Sequence, residues 1–126
     1  MIAHITTNKA WAEAVSTGNY AAPSLWEEGF IHCSTREQVV DTANGYFAGQ
    51  SDLTLLLIDE TRLSAVLKYE PPVIDGKSDD TSDQRFPHLY GPINLDAVIA
   101  ALDFPSGSDG TFILPTEVDR IQSSLC

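Results

Sequence analysis

Basic residues are scarce in this chain. Seven Lys and Arg residues stand against 18 Asp and Glu residues, so the formal net charge is −11 at pH 7. Proteins bind nucleic-acid backbones and anionic membrane surfaces through clustered Lys and Arg, which this composition does not supply. We therefore expect neither a nucleic-acid partner nor a membrane partner. A small anion bound in a locally positive pocket stays compatible with the charge.

Cysteine and long apolar runs are scarce as well. The 126 residues include two cysteines, Cys33 and Cys126, too few for a disulfide-stapled secreted domain. The longest strongly apolar run, residues 53–58, is strand-sized and falls far short of the roughly 20 residues that cross a bilayer. The first residues also lack the basic region and apolar core of a signal peptide. These absences favour a cytoplasmic protein and leave its oligomeric state undefined.

The apolar residues that are present recur with the periods of alternating strands and helices. Residues 2–6 match a first strand, and a helix capped by Thr7 or Asn8 is expected over residues 9–15. Apolar residues at three- and four-residue steps between 39 and 47 predict another helix. The preceding segment, Ser34-Thr35-Arg36-Glu37, has the spacing of a capping box for that helix.

Strands dominate the second half of the expected pattern. They are predicted near 53–58, where the strand would be buried on both faces, and near 67–70 and 111–114. Residues 96–104 are expected to form a buried strand or a helix–strand junction. Residues 73–85 are expected to be an exposed loop, and residues 86–92, with two prolines and a glycine, a sharply shaped connection. This order predicts an α+β fold with antiparallel pairing late in the chain. We assign residues 1–114 to a single domain and residues 115–126 to a C-terminal tail or short docking helix.

Three histidines lie in short apolar segments and define a site if the fold brings them together. Histidine changes charge near neutral pH and serves as a proton shuttle and a metal ligand. In GFIHCS, residues 29–34, a strand would place His32 and Ser34 on one face. If Ser34 caps the next helix, the helix N-terminus and Arg36 would favour an anion beside His32. A plain strand-to-helix junction explains the same residues equally simply.

The second histidine motif is RFPHLYGP, residues 85–92. Pro87 restricts the residue before it, and Gly91 permits backbone angles that other residues avoid. Such a loop would hold His88 and Tyr90 in fixed positions, as a site requires. It would serve equally well as a rigid structural corner.

His4 is a weaker candidate than the other two histidines. A lone histidine on a terminal strand is more often a core or edge residue than a functional one. One pattern raises its interest, because Lys9, Arg36 and Arg85 lie five, four and three residues from His4, His32 and His88. Basic residues that accompany histidines are what an anion pocket on an acidic protein would contain.

Metal and thiol chemistry have less support. Three histidines could hold zinc and leave a fourth position open, but no HxH, HExxH or CxxC spacing occurs. No metal is therefore expected, and a metal-dependent hydrolase that uses the three histidines stays an alternative. Cys33 has no base nearby in the sequence, and its apolar surroundings would raise the pKa of its thiol.

Two motifs together with Trp11 carry a family resemblance. With GFIHCS at 29–34 and FPHLYGPINLDAV at 86–98, the chain resembles an uncharacterised bacterial family, domain of unknown function 952, over about residues 1–114. That family is grouped with the ADP-ribosylation fold. The resemblance implies a split antiparallel sheet with packed helices, and NAD lies in the cleft of that fold's enzymes. The family's characteristic polar residues fall on His32, Ser34, His88 and Tyr90.

The resemblance also limits the expected chemistry. The fold's best-known transferases use an Arg or His on the first strand, a Ser or Tyr on a middle strand and a late Glu. His4 could take the first role, but the late Glu117 lies in the tail, which argues against ADP-ribosyl transfer to protein. The RNA 2′-phosphotransferases of the same fold manage without that glutamate, yet they need a basic surface that this chain lacks.

The sequence thus suggests a histidine-lined cleft that binds a small phosphate-bearing nucleotide, with NAD as the candidate cofactor. Any chemistry there would be ADP-ribosyl- or phospho-transferase-like group transfer, with a histidine as general acid or base. The candidate catalytic residues are His32 and His88. The candidate ligand-binding residues are His4, Ser34, Arg36, Arg85 and Tyr90. A non-catalytic binding or regulatory module of the same fold is the main alternative.

Overall fold

The computed structural model describes residues 1–125, which form two larger antiparallel sheets, two short strand pairs and four helices joined by turns and loops. The helices are α1 (Asn8–Thr17), α2 (Pro23–Glu27), α3 (Val39–Tyr46) and α4 (Glu117–Ser123), with 3-10 turns at Glu60–Arg62 and Leu95–Ala97. The strands are β1 (Ile2–Thr7), β2 (Asn19–Tyr20), β3 (Ile31–His32), β4 (Ser34–Thr35), β5 (Leu53–Ile58), β6 (Val66–Glu70), β7 (Val73–Ile74), β8 (Lys77–Ser78), β9 (Phe86–Tyr90), β10 (Ile93–Asn94) and β11 (Val98–Asp103). Within residues 1–125, no helix has the length and apolar character needed to cross a membrane.

The two larger sheets are both antiparallel, which confirms the predicted α+β class. One has four strands in the order β11-β5-β1-β4, and the other has three in the order β3-β9-β6. Two short pairs, β2 with β10 and β7 with β8, complete the pairing in the described residues. The late strands β6, β9 and β11 all take part in antiparallel pairs, as the sequence predicts.

Strand β5 is buried on both faces and separates two apolar clusters. Leu56 and Ile58 belong to a cluster between the two sheets, which also contains Ile31 and Leu89 from the three-stranded sheet. The alternate residues of β5, Leu53, Leu55 and Leu57, belong to a second cluster under α3 and α4. Because side chains alternate along a strand, the run of apolar residues at 53–58 can pack against both layers. In α4, Val118 is buried in the second cluster.

Helix α1 forms where the sequence predicts it. Thr7 occupies the N-cap, and its hydroxyl accepts a hydrogen bond from the Ala10 amide at 3.1 Å. Gly18 ends the helix in the left-handed conformation with φ 87°, where a residue with a Cβ would be strained.

The expected helix cap at Ser34 is wrong. Ser34 and Thr35 form β4, which pairs with β1, and α3 begins at Val39 with no side-chain cap. The Ser34 hydroxyl donates instead to the Thr42 hydroxyl at 3.2 Å. Pairing with β1 satisfies the backbone groups of this segment, so it stays extended. The anion site expected at a helix N-terminus beside Ser34 therefore does not form.

The connection expected over residues 86–92 is also wrong, because residues 86–90 form β9, the central strand of its sheet. Pro87 is tolerated in this strand because the side of its missing N–H faces the chain just after the end of β3. Its carbonyl accepts a hydrogen bond there from the Cys33 amide at 3.0 Å, so the missing N–H removes no hydrogen bond to β3 itself. Gly91 serves close packing, because a Cβ on it would lie 2.7 Å from the Cβ of Ala65.

The expected exposed loop contains a hairpin, and one expected strand is absent. Strands β7 and β8 are joined by Asp75 and Gly76, with φ 52° and 77°, the positive values of a type I′ turn. Residues 111–114 form no strand in the described structure. The Phe112 amide there donates to the Asn44 side chain at 2.8 Å rather than to a strand partner.

Candidate functional site

A cavity of about 460 Å³ opens where the two sheets diverge. The chain passes from β3 to β4 at Cys33, and β4 pairs with β1 only at Ile2 and Ala3. Beyond Ala3, no strand of the described chain covers this edge of β1, and the cavity lies against it. We call it the main cavity. Its volume falls in the range of roughly 300–1,000 Å³ that is usual for small-molecule sites.

The walls of the main cavity are largely apolar, with a few polar groups. Helix α3 and the β7–β8 hairpin contribute to them alongside β1, β3 and β9. The polar and ionisable lining side chains are His4, Ser24, Glu28, His32, Cys33, Ser34, Thr42, Tyr46, Asp75 and His88. The fold therefore brings all three histidine segments to one cavity.

His32 and His88 face each other on adjacent strands. The register of β3 and β9 places them directly opposite, and the bond from the Cys33 amide to the Pro87 carbonyl makes theirs a non-hydrogen-bonded position. Facing side chains come closest at such positions. The two ring centroids are 5.7 Å apart, with the ring planes at 79°.

Glu70 holds the buried ring of His88. The His88 side chain is 2% exposed, and its Nδ1 lies 3.0 Å from Glu70 Oε1. Burial lowers the pKa of His88, and the Glu70 carboxylate opposes that shift. The Tyr90 hydroxyl donates to the same carboxylate oxygen; this bond, followed by the one from His88, lowers the pKa of Glu70. Because an ionised carboxylate only accepts, the neutral His88 ring carries its proton on Nδ1.

The second nitrogen of His88 is left for the cavity. Within residues 1–125, no group forms a hydrogen bond with His88 Nε2. Every fully buried side-chain nitrogen or oxygen in this part of the chain has a partner, so Nε2 must keep contact with open space. Phe30 stacks on the ring, with centroids 4.1 Å apart and planes at 20°, and fixes its orientation. His88 thus presents an acceptor nitrogen to the cavity.

His32 forms a similar pair closer to solvent. Its Nε2 lies 2.7 Å from Glu28 Oε2, at the end of α2, and its side chain is 44% exposed. When the imidazole donates to Glu28, the carboxylate orients the ring in the same way that Glu70 orients His88. Two histidine–carboxylate pairs therefore lie side by side at the cavity wall.

His4 uses both ring nitrogens inside the protein. Nδ1 donates to the His32 carbonyl at 2.6 Å, and Nε2 lies 2.8 Å from the Tyr20 hydroxyl, which is also bonded to Thr6 at 2.9 Å. Burial lowers the pKa of His4 to about 4, so the ring is neutral at pH 7 and Nε2 accepts from Tyr20. His4 therefore links β1 to β3 and positions the backbone of His32.

The remaining candidates divide between cavity and surface. Ser34 lines the main cavity. Arg36 instead forms an ion pair with Asp119 of α4, in which Arg36 Nε donates at 2.7 Å, and the guanidinium of Arg85 donates to the backbone carbonyls of Ser82 and Gln84. Neither arginine is among the residues that line the cavity. Arg36 and Arg85, the basic residues that lie near His32 and His88 in the sequence, therefore bind other parts of the protein and do not line the cavity.

Thiol and metal chemistry gain no support from the geometry. The Cys33 thiol is buried, and burial raises its pKa to about 12, as the sequence predicts in direction; such a thiol is a poor nucleophile at neutral pH. Among the described residues, no three His, Cys, Asp or Glu side chains are grouped so that they could hold a metal ion.

Sequence reasoning missed both carboxylates of the histidine pairs. Glu28 lies four residues before His32, and this spacing across a helix end was the available signal. Glu70 carries no such signal, because it meets His88 only through the register of β6 against β9, in which Glu70 pairs with Phe86. Tyr90 was identified from its motif, but its role as a donor to Glu70 follows from the same register.

Fold and site together define a small α+β domain with a histidine-lined cavity between two antiparallel sheets. The family model described as Protein of unknown function (DUF952) matches residues 5–101. The chain belongs to this family, which confirms the family resemblance.

Solved structures of one relative have the same fold. The X-ray structure of protein CC0527 from Caulobacter crescentus has a TM-score of 0.75 at 31% sequence identity, covering 96% of this chain and 97% of that one. The solution NMR structure of CC0527 has a TM-score of 0.70 at 32% identity, with 94% of each chain covered. None of the curated proteins matches this chain.

Proposed function

We propose that this protein binds a small organic molecule in the main cavity and that His88 exchanges a proton with it. The observation that carries the proposal is a buried imidazole with one nitrogen held by Glu70 and the other free of any partner in the described chain. Buried polar groups are normally paired. An unpaired acceptor in a cavity wall suits a ligand donor.

The pairing with Glu70 supports a role in proton transfer. A carboxylate that accepts from Nδ1–H fixes the tautomer and stabilises the imidazolium that forms when Nε2 takes a proton. Burial keeps His88 neutral in the resting state, since it lowers the pKa. His32, whose ring lies 5.7 Å away, is the second group that can give or take a proton at the same ligand.

The family resemblance supplies a narrower candidate, NAD-dependent group transfer on an ADP-ribosylation-like fold. Two antiparallel sheets that flank a histidine-lined cavity favour it. Two observations weigh against it. Lys and Arg are absent from the described lining of the main cavity, so nothing there neutralises a pyrophosphate. Glu117, the late glutamate, lies on α4 and does not line the cavity.

The experiment that tests the proposal follows the imidazole proton NMR signals of the three histidines as small aromatic probes and NAD are added. We expect at least one probe to shift the signals of His32 and His88 together and saturably, with the His4 signal moving least because both of its nitrogens are occupied. If no probe, NAD included, moves the His88 signal at millimolar concentration, the proposal fails.

A second measurement separates an enzyme from a binding module. Purified protein would be incubated with NAD, and released nicotinamide would be measured by chromatography. The wild type would be compared with His88→Gln and with Tyr69→Phe, a control on the opposite face of β6. Release that His88→Gln abolishes and Tyr69→Phe retains would support group transfer. Saturable binding without release would identify a non-catalytic module for this ligand.

A further inference from the structure

Alternate residues of β1 turn their backbone groups away from β5. The Asn8 amide donates to the Asp52 carbonyl at 2.8 Å, in line with the register that pairs β1 with β5. In an antiparallel pair, only every second residue bonds across the ladder. The even-numbered residues of β1 therefore bond to β5, and Ala3, Ile5 and Thr7 turn their N–H and C=O groups to the opposite edge.

Most of this opposite edge has no partner strand in the described chain. Ala3 pairs with Ser34, the first residue of β4, whereas the preceding residue, Cys33, bonds to β9. Within residues 1–125, no hydrogen bond uses the N–H or C=O of Ile5 or the N–H of Thr7. Proteins usually protect a free strand edge with charged residues, proline or a bulge, and β1 has none of these. Ile5 lines the main cavity, so the open edge of β1 faces it.

His32 contributes a further unpaired group from the other side of the gap. If β4 continued along β1 in its register, His32 would lie opposite Ile5. Because His32 and His88 form a non-hydrogen-bonded pair, the backbone groups of His32 turn away from β9. The His32 carbonyl accepts from His4, and the His32 N–H has no partner in the described chain. Buried backbone groups are normally paired, and Ile5 is buried, so the gap suits a ligand with matching groups.

An extended peptide has these groups at the required spacing. In a hydrogen-bonded antiparallel pair, one residue gives both its N–H and its C=O to the residue opposite. A peptide residue opposite Ile5 would use both free groups of Ile5, and the peptide carbonyl two residues earlier would accept from Thr7. A single small amide would satisfy Ile5 alone. Addition of a strand to an open edge is an established mode of peptide recognition.

The added strand would direct one side chain into the main cavity. Residues directly opposite each other in a sheet place their side chains on the same face. The face of β1 that carries Ile5 continues through Ser34 to His32 and His88, and α3 packs over Ile5 on this face. A side chain opposite Ile5 therefore lies between α3 and His88. The walls there are largely apolar and His88 Nε2 accepts, so tyrosine, an apolar ring with a hydroxyl donor, suits this position.

We propose that the ligand of the main cavity is a short peptide whose main chain pairs with the open edge of β1. The inference rests on the proposed function and adds the chemical class of the ligand. The peptide residue opposite Ile5 fills the cavity with its side chain and presents a donor to His88. The peptide ends soon after this residue, because Ser34 occupies the next hydrogen-bonded position along β1.

The test uses N-acetyl-threonyl-tyrosinamide, which places its tyrosine opposite Ile5 and its acetyl carbonyl opposite Thr7. Binding is followed by NMR through the backbone amide signals of Ile5 and Thr7 and the imidazole signal of His88. We expect all three signals to shift saturably. Three glycines added after the tyrosine should abolish binding, because they would collide with Ser34. No shift of the Ile5 amide at millimolar peptide, or full binding of the extended peptide, would overturn the inference.

Two isomers of the peptide provide a matched comparison. A methyl group on the tyrosine nitrogen removes the donor to the Ile5 carbonyl. A methyl group on the threonine nitrogen changes an N–H that points away from β1, because successive N–H groups of a strand face opposite edges. We expect the first isomer to bind roughly tenfold more weakly than the parent peptide and the second to bind nearly as well. Equal binding of the two isomers would contradict the pairing.

A pair of proline variants tests the same edge from the protein side. Ile5→Pro removes an N–H that β1 does not give to β5, and strand edges tolerate proline. Ala101→Pro removes an outward N–H from the other edge of the sheet, because β11 alternates from the bond between the Phe104 amide and the Leu53 carbonyl. Ile5→Pro should weaken peptide binding roughly tenfold and Ala101→Pro hardly at all. Equal binding by the two variants would overturn the inference, and if Ile5→Pro does not fold, the two isomers decide on the wild type.

The NMR signals also separate this inference from the proposed function. If NAD or a small aromatic probe shifts His88 while the peptide leaves the Ile5 amide unchanged, the peptide inference is overturned and the proposed function stands. If the peptide shifts the Ile5 amide and not His88, the pairing with β1 stands and the role of His88 is overturned.

Discussion

His4 and His88 are both buried histidines with a lowered pKa, yet the protein uses them differently. His4 has both ring nitrogens bonded to other parts of the protein and joins the two sheets. His88 has one nitrogen held by Glu70 and the other open to the cavity. Burial alone therefore does not distinguish the two histidines. They differ in the number of ring nitrogens that the protein itself satisfies, two in His4 and one in His88, and the role that we propose for His88 rests on this difference.

Substitutions of His4 and of His88 should differ most in their effect on the free energy of unfolding. His4→Leu removes two hydrogen bonds and leaves the His32 carbonyl and the Tyr20 hydroxyl short of a partner, so we expect the free energy of unfolding to fall by about 3 kcal/mol. Urea denaturation measures it. Tyr20→Phe, which removes the hydrogen bonds of the Tyr20 hydroxyl with His4 and Thr6, should cost about 2 kcal/mol. A His4→Leu variant as stable as the wild type would contradict the structural role.

A pH dependence of similar size should come from His4. Its pKa is about 4 in the folded protein against 6.5 for an ordinary histidine. The unfolded chain therefore binds more protons between these pH values, and stability falls as the pH is lowered from 6.5 to 4. The two pKa values correspond to about 3 kcal/mol. His4→Gln should lack this component when the unfolding free energies of both proteins are compared across that window; equal slopes would show that His4 does not cause it.

His88→Gln sharpens the comparison because it should affect stability less and the site more. Glutamine can still donate to Glu70, so we expect a cost of about 1 kcal/mol, mainly from lost stacking on Phe30. Binding of a probe that shifts His32 in the wild type should be weakened. If the variant unfolds as easily as His4→Leu, the two histidines do not differ in the way described.

The smallest effect concerns Glu70. Its carboxylate raises the pKa of His88 against the effect of burial, so Glu70→Gln should move the NMR titration midpoint of His88 to lower pH. The His4 midpoint should stay in place, because Glu70 does not contact that ring. Movement of His88 to higher pH would contradict the assigned pair.

The sequence predicted those features that depend on local pattern and missed those that depend on register. The cap at Thr7 and the doubly buried run at 53–58 follow from neighbouring residues, and both are confirmed. Pro87 suggested a turn, but the end of β3 provides the one place beside β9 where its missing N–H is tolerated. Glu70 reaches His88 only because β6 pairs with β9 in one register, and no spacing in the sequence encodes that.

The dependence on long-range strand pairing also explains why the anion site that the sequence predicted beside Ser34 does not form. Residues 34–37 have the local spacing of a capping box, but the pairing of Ser34 and Thr35 with β1 keeps this segment extended. The guanidinium of Arg36 pairs with Asp119, which is 83 residues away in the sequence. Long-range contacts decided the outcome in both places.

The most direct test of the account is nitrogen-15 NMR of the histidine side chains at neutral pH, with His4→Gln, His32→Gln and His88→Gln used for assignment. We expect the His88 ring to be neutral, with its proton on Nδ1 and a bare Nε2. A proton on Nε2, or a fully protonated ring, would contradict the central claim that His88 offers an acceptor to the cavity.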